Sequence, residues 1–249
     1  MTDPVREEMA AQPLVQHLIE LRSRLLKSIV CVLIIFIALF SFANDIYSFV
    51  AQPLQRLLPE NSNMIATDVT SPFLTPFKLT IFVALFISIP FILYQLWCFI
   101  APALYKKEKR LALPLLASSI ILFYVGMAFA YYVVFPLIFA FFTSVGPSDV
   151  QVMTDISRYL DFVIKLFFAF GLAFEIPVAT MILVASGLVK TDTLAHKRPY
   201  VIVACFVIGM LLTPPDIISQ ALLAVPMWLL FEMGILMSRL FIGKRVAEG

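Results

Sequence analysis

Residues Asp161 to Ser186 read DFVIKLFFAFGLAFEIPVATMILVAS, an apolar run with Glu175 near its centre and Pro177 two positions on. As a helix, at about 1.5 Å per residue, the run covers about 39 Å, enough to cross a hydrocarbon core about 30 Å thick. An ionised carboxylate at that depth costs about 2.5 to 3.5 kcal/mol on insertion scales, so Glu175 must face protein or a wet cavity, or stay protonated. Proline lacks an N–H and its ring crowds the carbonyl four residues back, so Pro177 predicts a kink at Ala173 and a free acceptor beside Glu175. Such a fixture suits binding or proton relay. The bland alternative is a protonated carboxyl hydrogen-bonded inside a helix bundle for packing alone.

Two further acids sit among cations. Glu108 stands within Lys106, Lys107, Lys109 and Arg110, where a lone carboxylate is ordinarily a local charge partner. Glu20 stands four residues before Arg24 and can pair with it on a helix, with Arg22 between them. Those charges also fit a solvated face anchored at lipid headgroups. The remaining reactive types are sparse. Cys31, Cys98 and Cys205 lie in or beside apolar runs without CxxC spacing, and His17 and His196 lie in polar flanks. No redox, metal or cofactor site is expected. The acids inside apolar spans are Glu175 and Glu232, which do not supply the nucleophile and base, paired aspartates or metal ligands of an intramembrane protease, so no enzyme is expected.

The elements that position these groups follow from composition. Sixty-one per cent of the 249 residues are hydrophobic and 14% are charged, with mean hydropathy +0.98. That excludes an ordinary soluble domain. The apolar runs are continuous rather than alternating, which excludes a β-barrel. The expected architecture is all-α, one polytopic membrane domain over residues 1–249 with six transmembrane helices, at about 28–43, 77–100, 111–136, 161–186, 200–212 and 217–238. The start of the chain shows no cleavable leader and is expected to stay attached.

Residues 13–27 carry Leu14, Leu18, Leu21 and Leu25 at helical spacing, which predicts a short amphipathic helix along the membrane surface. A second amphipathic segment runs from Ile46 to Leu58 across Pro53, and Asn61 to Pro76 reads as an irregular cap. The second span should bend at Pro90, and Trp97 and Tyr105 near its end suit the interfacial aromatic belt. The uncharged run from Leu111 to Phe142 is too long to cross upright, so it must tilt, break near Pro136 or continue outside as a helix. Gly126 and Ala130 offer a small-residue face for close packing. Thr154 or Asp155 should cap the helix that follows. The fifth span, Tyr200 to Leu212, is short, and the TPPD hairpin behind it turns the chain tightly into the sixth.

Fourteen of the lysines and arginines fall on one side of this arrangement and four on the other. The cation-rich side is expected to be cytoplasmic and to hold both termini. Two function classes remain open from the residues: a receptor and assembly scaffold, or a proton-coupled small-solute carrier using Glu175. The absence of an internal repeat and the scarcity of intramembrane charge favour the scaffold.

Five segments carry a resemblance. HLIELRSRL (His17 to Leu25), MIATDVTSPF (Met64 to Phe73), FIAPALYKKEKR (Phe99 to Arg110), FAFGLAFEIPV (Phe168 to Val178) and KRPYVIVACFVIGMLLTPPD (Lys197 to Asp216) resemble the TatC family, the receptor subunit of the twin-arginine protein translocase. Lys109 departs from the arginine expected there in close relatives. The resemblance implies a cupped bundle in a bacterial cytoplasmic (inner) membrane, exporting folded proteins with the proton-motive force. It implies as partners TatA and TatB, twin-arginine signal peptides, other TatC copies and membrane lipids, with no nucleic acid. It places signal-peptide recognition at Glu20, Arg22, Phe99, Leu104, Tyr105, Glu108 and Arg110, and it puts Glu175 in the concave face. Docking of TatA or TatB is implied at Met210, Leu211, Thr213 and Gln220, and a shaping role in the extracytoplasmic caps at Pro53 and Asp216.

Overall fold

The computed structural model describes the backbone over residues 4–57, 65–104, 109–145, 155–212 and 217–246, with side chains over a slightly smaller set. Every element over these residues is helical. In order they are α1 (Pro4–Leu39), a 3-10 turn (Phe40–Phe42), α2 (Ala43–Leu57), α3 (Ser71–Leu104) and α4 (Lys109–Phe129). A π turn (Ala130–Val134) leads into α5 (Phe135–Val145), followed by α6 (Ile156–Ala173), α7 (Ile176–Ala185), α8 (Thr191–His196), α9 (Arg198–Leu212) and α10 (Ile217–Val246). Five stretches are long and apolar enough to cross a membrane: Gln16–Gln52, Ser71–Phe99, Leu113–Phe141, Ile156–Ala185 and Ile217–Leu240. The helix α9, at 15 residues, is a shorter apolar one. The chain is thus an all-helical polytopic membrane protein.

Three expectations about the first half are corrected. The segment 13–27 is not a separate surface helix, because α1 runs unbroken for 36 residues into the first apolar stretch. No glycine or proline interrupts residues 14–39, so the helical hydrogen-bond ladder has no reason to stop at the polar-to-apolar boundary. Helix α3 starts at Ser71 rather than Phe77, across Pro72 and Pro76. Pro72 is tolerated in the first turn, where its missing N–H would have no intrahelical partner anyway, whereas Pro76, in the second turn, leaves the Pro72 carbonyl without its helical donor. Trp97 is also buried, packed with Leu115 and Val178, instead of standing in an interfacial belt.

Two helix interruptions lie beside prolines, at Pro136 and Pro177, while the 3-10 turn at Phe40–Phe42 has no proline and α3 continues through Pro90 as one helix. Phe135 donates its N–H to the Ala130 carbonyl, five residues back, which closes the π turn just before Pro136. The widened turn takes up the strain of a ring without an N–H. The fourth long stretch divides between Ala173 and Ile176, with Pro177 in the first turn of α7. Phe174 donates to the Phe170 carbonyl at 3.0 Å and Glu175 to Leu172 at 3.1 Å, so the ladder tightens at the break.

The largest core cluster joins Val134, Phe135 and Ile138 with Val163, Leu166 and Phe170 and with Leu223, Ala224 and Met227 of α10. Helices α4 and α6 approach closely through glycine. A Cβ at Gly126 would stand 2.5 Å from the Phe170 carbonyl oxygen, and one at Gly171 would stand 2.7 Å from the Phe123 ring. Buried tyrosines keep their hydroxyls bonded: Tyr159 donates to the Val50 carbonyl at 3.1 Å, tying α6 to α2.

At the cation-poor end, Asp155 caps α6. Its Oδ1 accepts from the N–H groups of Ser157 and Arg158 at 2.9 and 3.0 Å, while Oδ2 accepts from the N–H and hydroxyl of Thr67 at 3.0 and 2.6 Å. The Ile156 N–H meets the Ile65 carbonyl at 2.9 Å. One carboxylate therefore ends a helix and fastens the loop before α3. The Thr67 hydroxyl, followed by the backbone donors, holds the Asp155 carboxyl down at about 2, from an ordinary 3.8.

Two outcomes are expected. The folded carboxyl titrates below its unfolded value, so its stabilisation is complete above about pH 4 and is lost as pH falls towards 2. Asp155→Ala should remove about 1 kcal/mol at neutral pH and flatten the acid limb of a thermal-stability profile in detergent. Gly126→Ala should destabilise by about 1 to 3 kcal/mol, because the carbonyl it meets belongs to a helix backbone. A thermal midpoint equal to the parent's would contradict that close approach.

Candidate functional site

Three places carry the residues picked from sequence. At the cation-rich end, α1 lies against α3. Arg24 donates from Nε and Nη2 to Glu20 Oε1 at 2.9 and 2.5 Å, and from Nη1 to Gln95 Oε1 of α3 at 3.2 Å. The expected pairing of Glu20 with Arg24 is therefore present, and it is extended across to α3. The His17 ring stacks on Phe99 with centroids 4.0 Å apart. Glu20 and Phe99 thus belong to one surface formed by two helices. Both bonds from Arg24 reach Oε1, and Glu20 Oε2 has no protein partner among the described residues. The Glu20 side chain keeps 37% of its exposure, and Arg22 is exposed beside it.

Helix α3 ends at Leu104 and α4 begins at Lys109. Tyr105 and Glu108, which complete the predicted surface, lie outside the described residues, and for Leu104 and Arg110 only the helical backbone is described. The two helix ends bracket the segment that bears Glu108.

The second place is Glu175, at the break between α6 and α7. Ser119 of α4 donates its hydroxyl to Glu175 Oε2 at 2.7 Å. Glu175 Oε1 is buried and has no hydrogen-bond partner among the described residues. Sequence reasoning found the carboxyl and the helix break but missed Ser119. A serine in an apolar run gives no signal of which residue it serves until two helices are registered.

The third place is the α9 and α10 pair. Met210 and Leu211 are exposed to 50% and 71% of their surface, on a helix whose buried residues are Cys205 and Gly209. Gln220 is half-buried, and its backbone fits against Gly209, where a Cβ would stand 3.3 Å from the Gln220 carbonyl oxygen. Thr213 and Asp216 lie outside the described residues, and Pro53 is described as helical backbone in α2.

Several charges near the ends of the spans are paired. Arg198 grips Glu232 with a two-pronged contact, Nε to Oε1 at 2.6 Å and Nη2 to Oε2 at 2.7 Å. Asp192 lies 3.6 Å from Arg239, and Lys78 pairs with Asp161 at 2.5 Å. Helices α9 and α10 are thereby joined at the cation-rich end. Arg239, seven positions beyond Glu232 in the chain, turns to Asp192 instead.

Among the described residues there is no group of three or more histidine, cysteine or acidic side chains able to hold a metal. Long apolar helices, a charged two-helix surface at one end and a single half-satisfied carboxyl within the spans define a polytopic membrane binding scaffold. The sequence profile of the Sec-independent protein translocase protein (TatC) matches residues 16–226. The chain belongs to the TatC family, the receptor component of the twin-arginine translocation system, and is not an enzyme.

Its relatives include TatC of Azotobacter chroococcum mcd 1, 62% identical over 234 residues, which are 94% of this chain and 90% of that protein. The TatC protein of Escherichia coli strain K12 is 60% identical over 233 residues, again 94% of this chain and 90% of that one. A crystal structure of the twin-arginine translocase receptor TatC superposes with TM-score 0.81 at 40% identity, covering 90% of this chain and 98% of that one.

The Arg198 and Glu232 contact generates a double-mutant cycle. Arg198→Ala and Glu232→Ala should each lower the thermal midpoint in detergent, and the double variant should lose less than the sum of the two. Strict additivity would mean that the pair does not couple α9 to α10.

Proposed function

We propose that this receptor binds twin-arginine signal peptides of folded proteins at its cation-rich end, and that this end faces the cytoplasm of a bacterial inner membrane. One observation supports the reading most: Glu20 is held against α3 through Arg24 while its second carboxylate oxygen has no partner among the described residues. A guanidinium presents paired donors in a plane, the shape a carboxylate accepts best, and lysine cannot reproduce it. Glu108, at the junction of α3 and α4, supplies the second acid. Arg22, Phe99, Leu104, Tyr105 and Arg110 form the rest of the surface, and the apolar part of the peptide continues into the lipid-facing wall.

The wider reading is a single six-span domain forming a cupped bundle with both termini cytoplasmic. Helix α9, about 22 Å long by its 15 residues, counts as the short fifth span. Met210, Leu211, Thr213 and Gln220 then receive the membrane helices of TatA or TatB, with Gln220 offering an amide that gains about 0.6 to 2 kcal/mol from a bond across helices in lipid. Glu175 is the polar point of the concave face, Pro53 and Asp216 shape the opposite caps, and further TatC copies complete the assembly for export driven by the proton-motive force. A proton-coupled solute carrier built on Glu175 has no observation in its favour beyond the carboxyl itself.

The test is binding of a labelled twin-arginine signal peptide to the purified protein. Changing the arginine pair to lysines, or making Glu108→Lys, should weaken binding at least about tenfold, the scale of one lost charge-assisted hydrogen bond. Binding indifferent to both changes, or solute uptake by vesicles containing this chain alone, would overturn the receptor reading.

A further inference from the structure

We propose that Ser119 is the positioning residue for Glu175, fixing which carboxyl oxygen the receptor presents inside the membrane. This rests on the reading of Glu175 as the polar point of the concave face. It adds the residue that sets the carboxyl's direction.

Among the described buried hydroxyls most bond within their own helix, and Ser71 and Thr75 meet the Ser157 hydroxyl of α6 at 2.8 and 2.9 Å, but Ser119 is the one bonded to a carboxyl. In an apolar helix, a serine or threonine ordinarily returns its proton to a carbonyl one turn back on its own helix. Thr80 donates to the Pro76 carbonyl, Ser88 to Ala84 and Ser238 to Gly234, at 2.7 to 2.8 Å. Ser118, the immediate neighbour, donates to the Leu115 carbonyl at 2.8 Å. Ser119, with 2% of its surface exposed, instead sends its proton across to Glu175 Oε2 on the other side of the α6 and α7 break at 2.7 Å.

The surrounding backbone leaves little play in this contact. Two turns further along α4, Gly126 admits the Phe170 carbonyl and the Phe174 ring so closely that a Cβ there would lie 2.5 and 2.9 Å from them. Gly171 does the same for the Phe123 ring. These contacts lock the register of α4 on α6, which sets Ser119 opposite Glu175. The Glu175 carbonyl accepts from the Ala179 N–H at 2.8 Å, so its backbone is committed to α7. Rotation of the side chain is the freedom that remains, and the Ser119 bond removes it.

With Oε2 taken, Oε1 is the oxygen left buried and without a partner among the described residues. A polar atom in that state gains a full hydrogen bond when a donor arrives, while an arrangement that swivels would lose part of that gain to ordering. Ser119 therefore makes Glu175 a directional acceptor for a donor on a docking membrane helix.

The experiment reads the carboxyl itself. Infrared difference spectra between the parent and Glu175→Gln isolate the Glu175 stretching band in purified protein, without peptide or partner. In Ser119→Ala the band should move, and export of a twin-arginine substrate by the complete translocase should fall about tenfold, the factor that one hydrogen bond to a carboxylate represents. Ser119→Thr, which keeps the hydroxyl, should leave the band in place. If Ser119→Ala does not fold, Ser119→Cys, close in volume but a weak donor, is read instead. An unmoved band overturns the proposal whatever export does, and so does a moved band with export unchanged. Signal-peptide binding measured on the parent tests the receptor reading separately, since the Glu175 band requires no peptide.

Discussion

A carboxyl group among lipid-spanning helices has no water to complete its hydrogen bonds, and this cost organises the middle of the protein. Glu175 meets it halfway. Ser119 satisfies one oxygen and the other is left buried. A half-satisfied group is expensive in a finished core, because desolvation is not repaid. It is reasonable in a receptor, where the missing donor arrives with a partner. The helix break beneath it serves the same end, since Pro177 cannot give an N–H to the Ala173 carbonyl and the chain must turn at the point where the carboxyl is held.

The rest of the architecture limits where such weakness occurs. Several ionisable groups elsewhere in the helices are drawn into pairs: Arg24 with Glu20 and Gln95, Lys78 with Asp161, and Arg198 with Glu232. These pairs tie neighbouring elements together at their ends, where partial hydration makes charge affordable. Between them, helix contact depends on shape. Gly126 and Gly171 allow α4 and α6 to approach until a ring or a carbonyl fills the space of a side chain. In lipid there is no hydrophobic gain from bringing apolar helices together, so close packing of this kind carries the association.

Much of the apolar surface remains open. Helix α9 buries Cys205 and Gly209 and shows Met210 and Leu211, and the first long stretch likewise keeps Leu33, Ile34 and Ile37 at the surface. In water such faces would aggregate. In a bilayer they are neutral towards lipid and available to other apolar helices, which fits a subunit whose work is assembly. The polar surface at the cation-rich end, where Glu20 and Arg24 of α1 lie near Gln95 and where His17 stacks on Phe99, is of a different character from those faces.

The amino-acid order by itself determined the solvent of this protein, the interruptions next to Pro136 and Pro177 and the family to which it belongs. Those properties are local: mean hydropathy, run length and the missing N–H of proline act without reference to distant residues. Asp155 as a cap and Glu20 with Arg24 as a pair were legible for the same reason, since their partners lie within one turn. The tertiary structure decided what depends on register. It turned Arg24 towards Gln95, paired Glu232 with Arg198, buried Trp97, and joined Asp155 to Thr67 far back in the chain. It also joined the amphipathic start of the chain to the first span as one helix, where the polarity pattern suggested two. Above all it brought Ser119 to Glu175, because a hydroxyl in an apolar run has many candidate acceptors and only the glycine-set contact between α4 and α6 selects one.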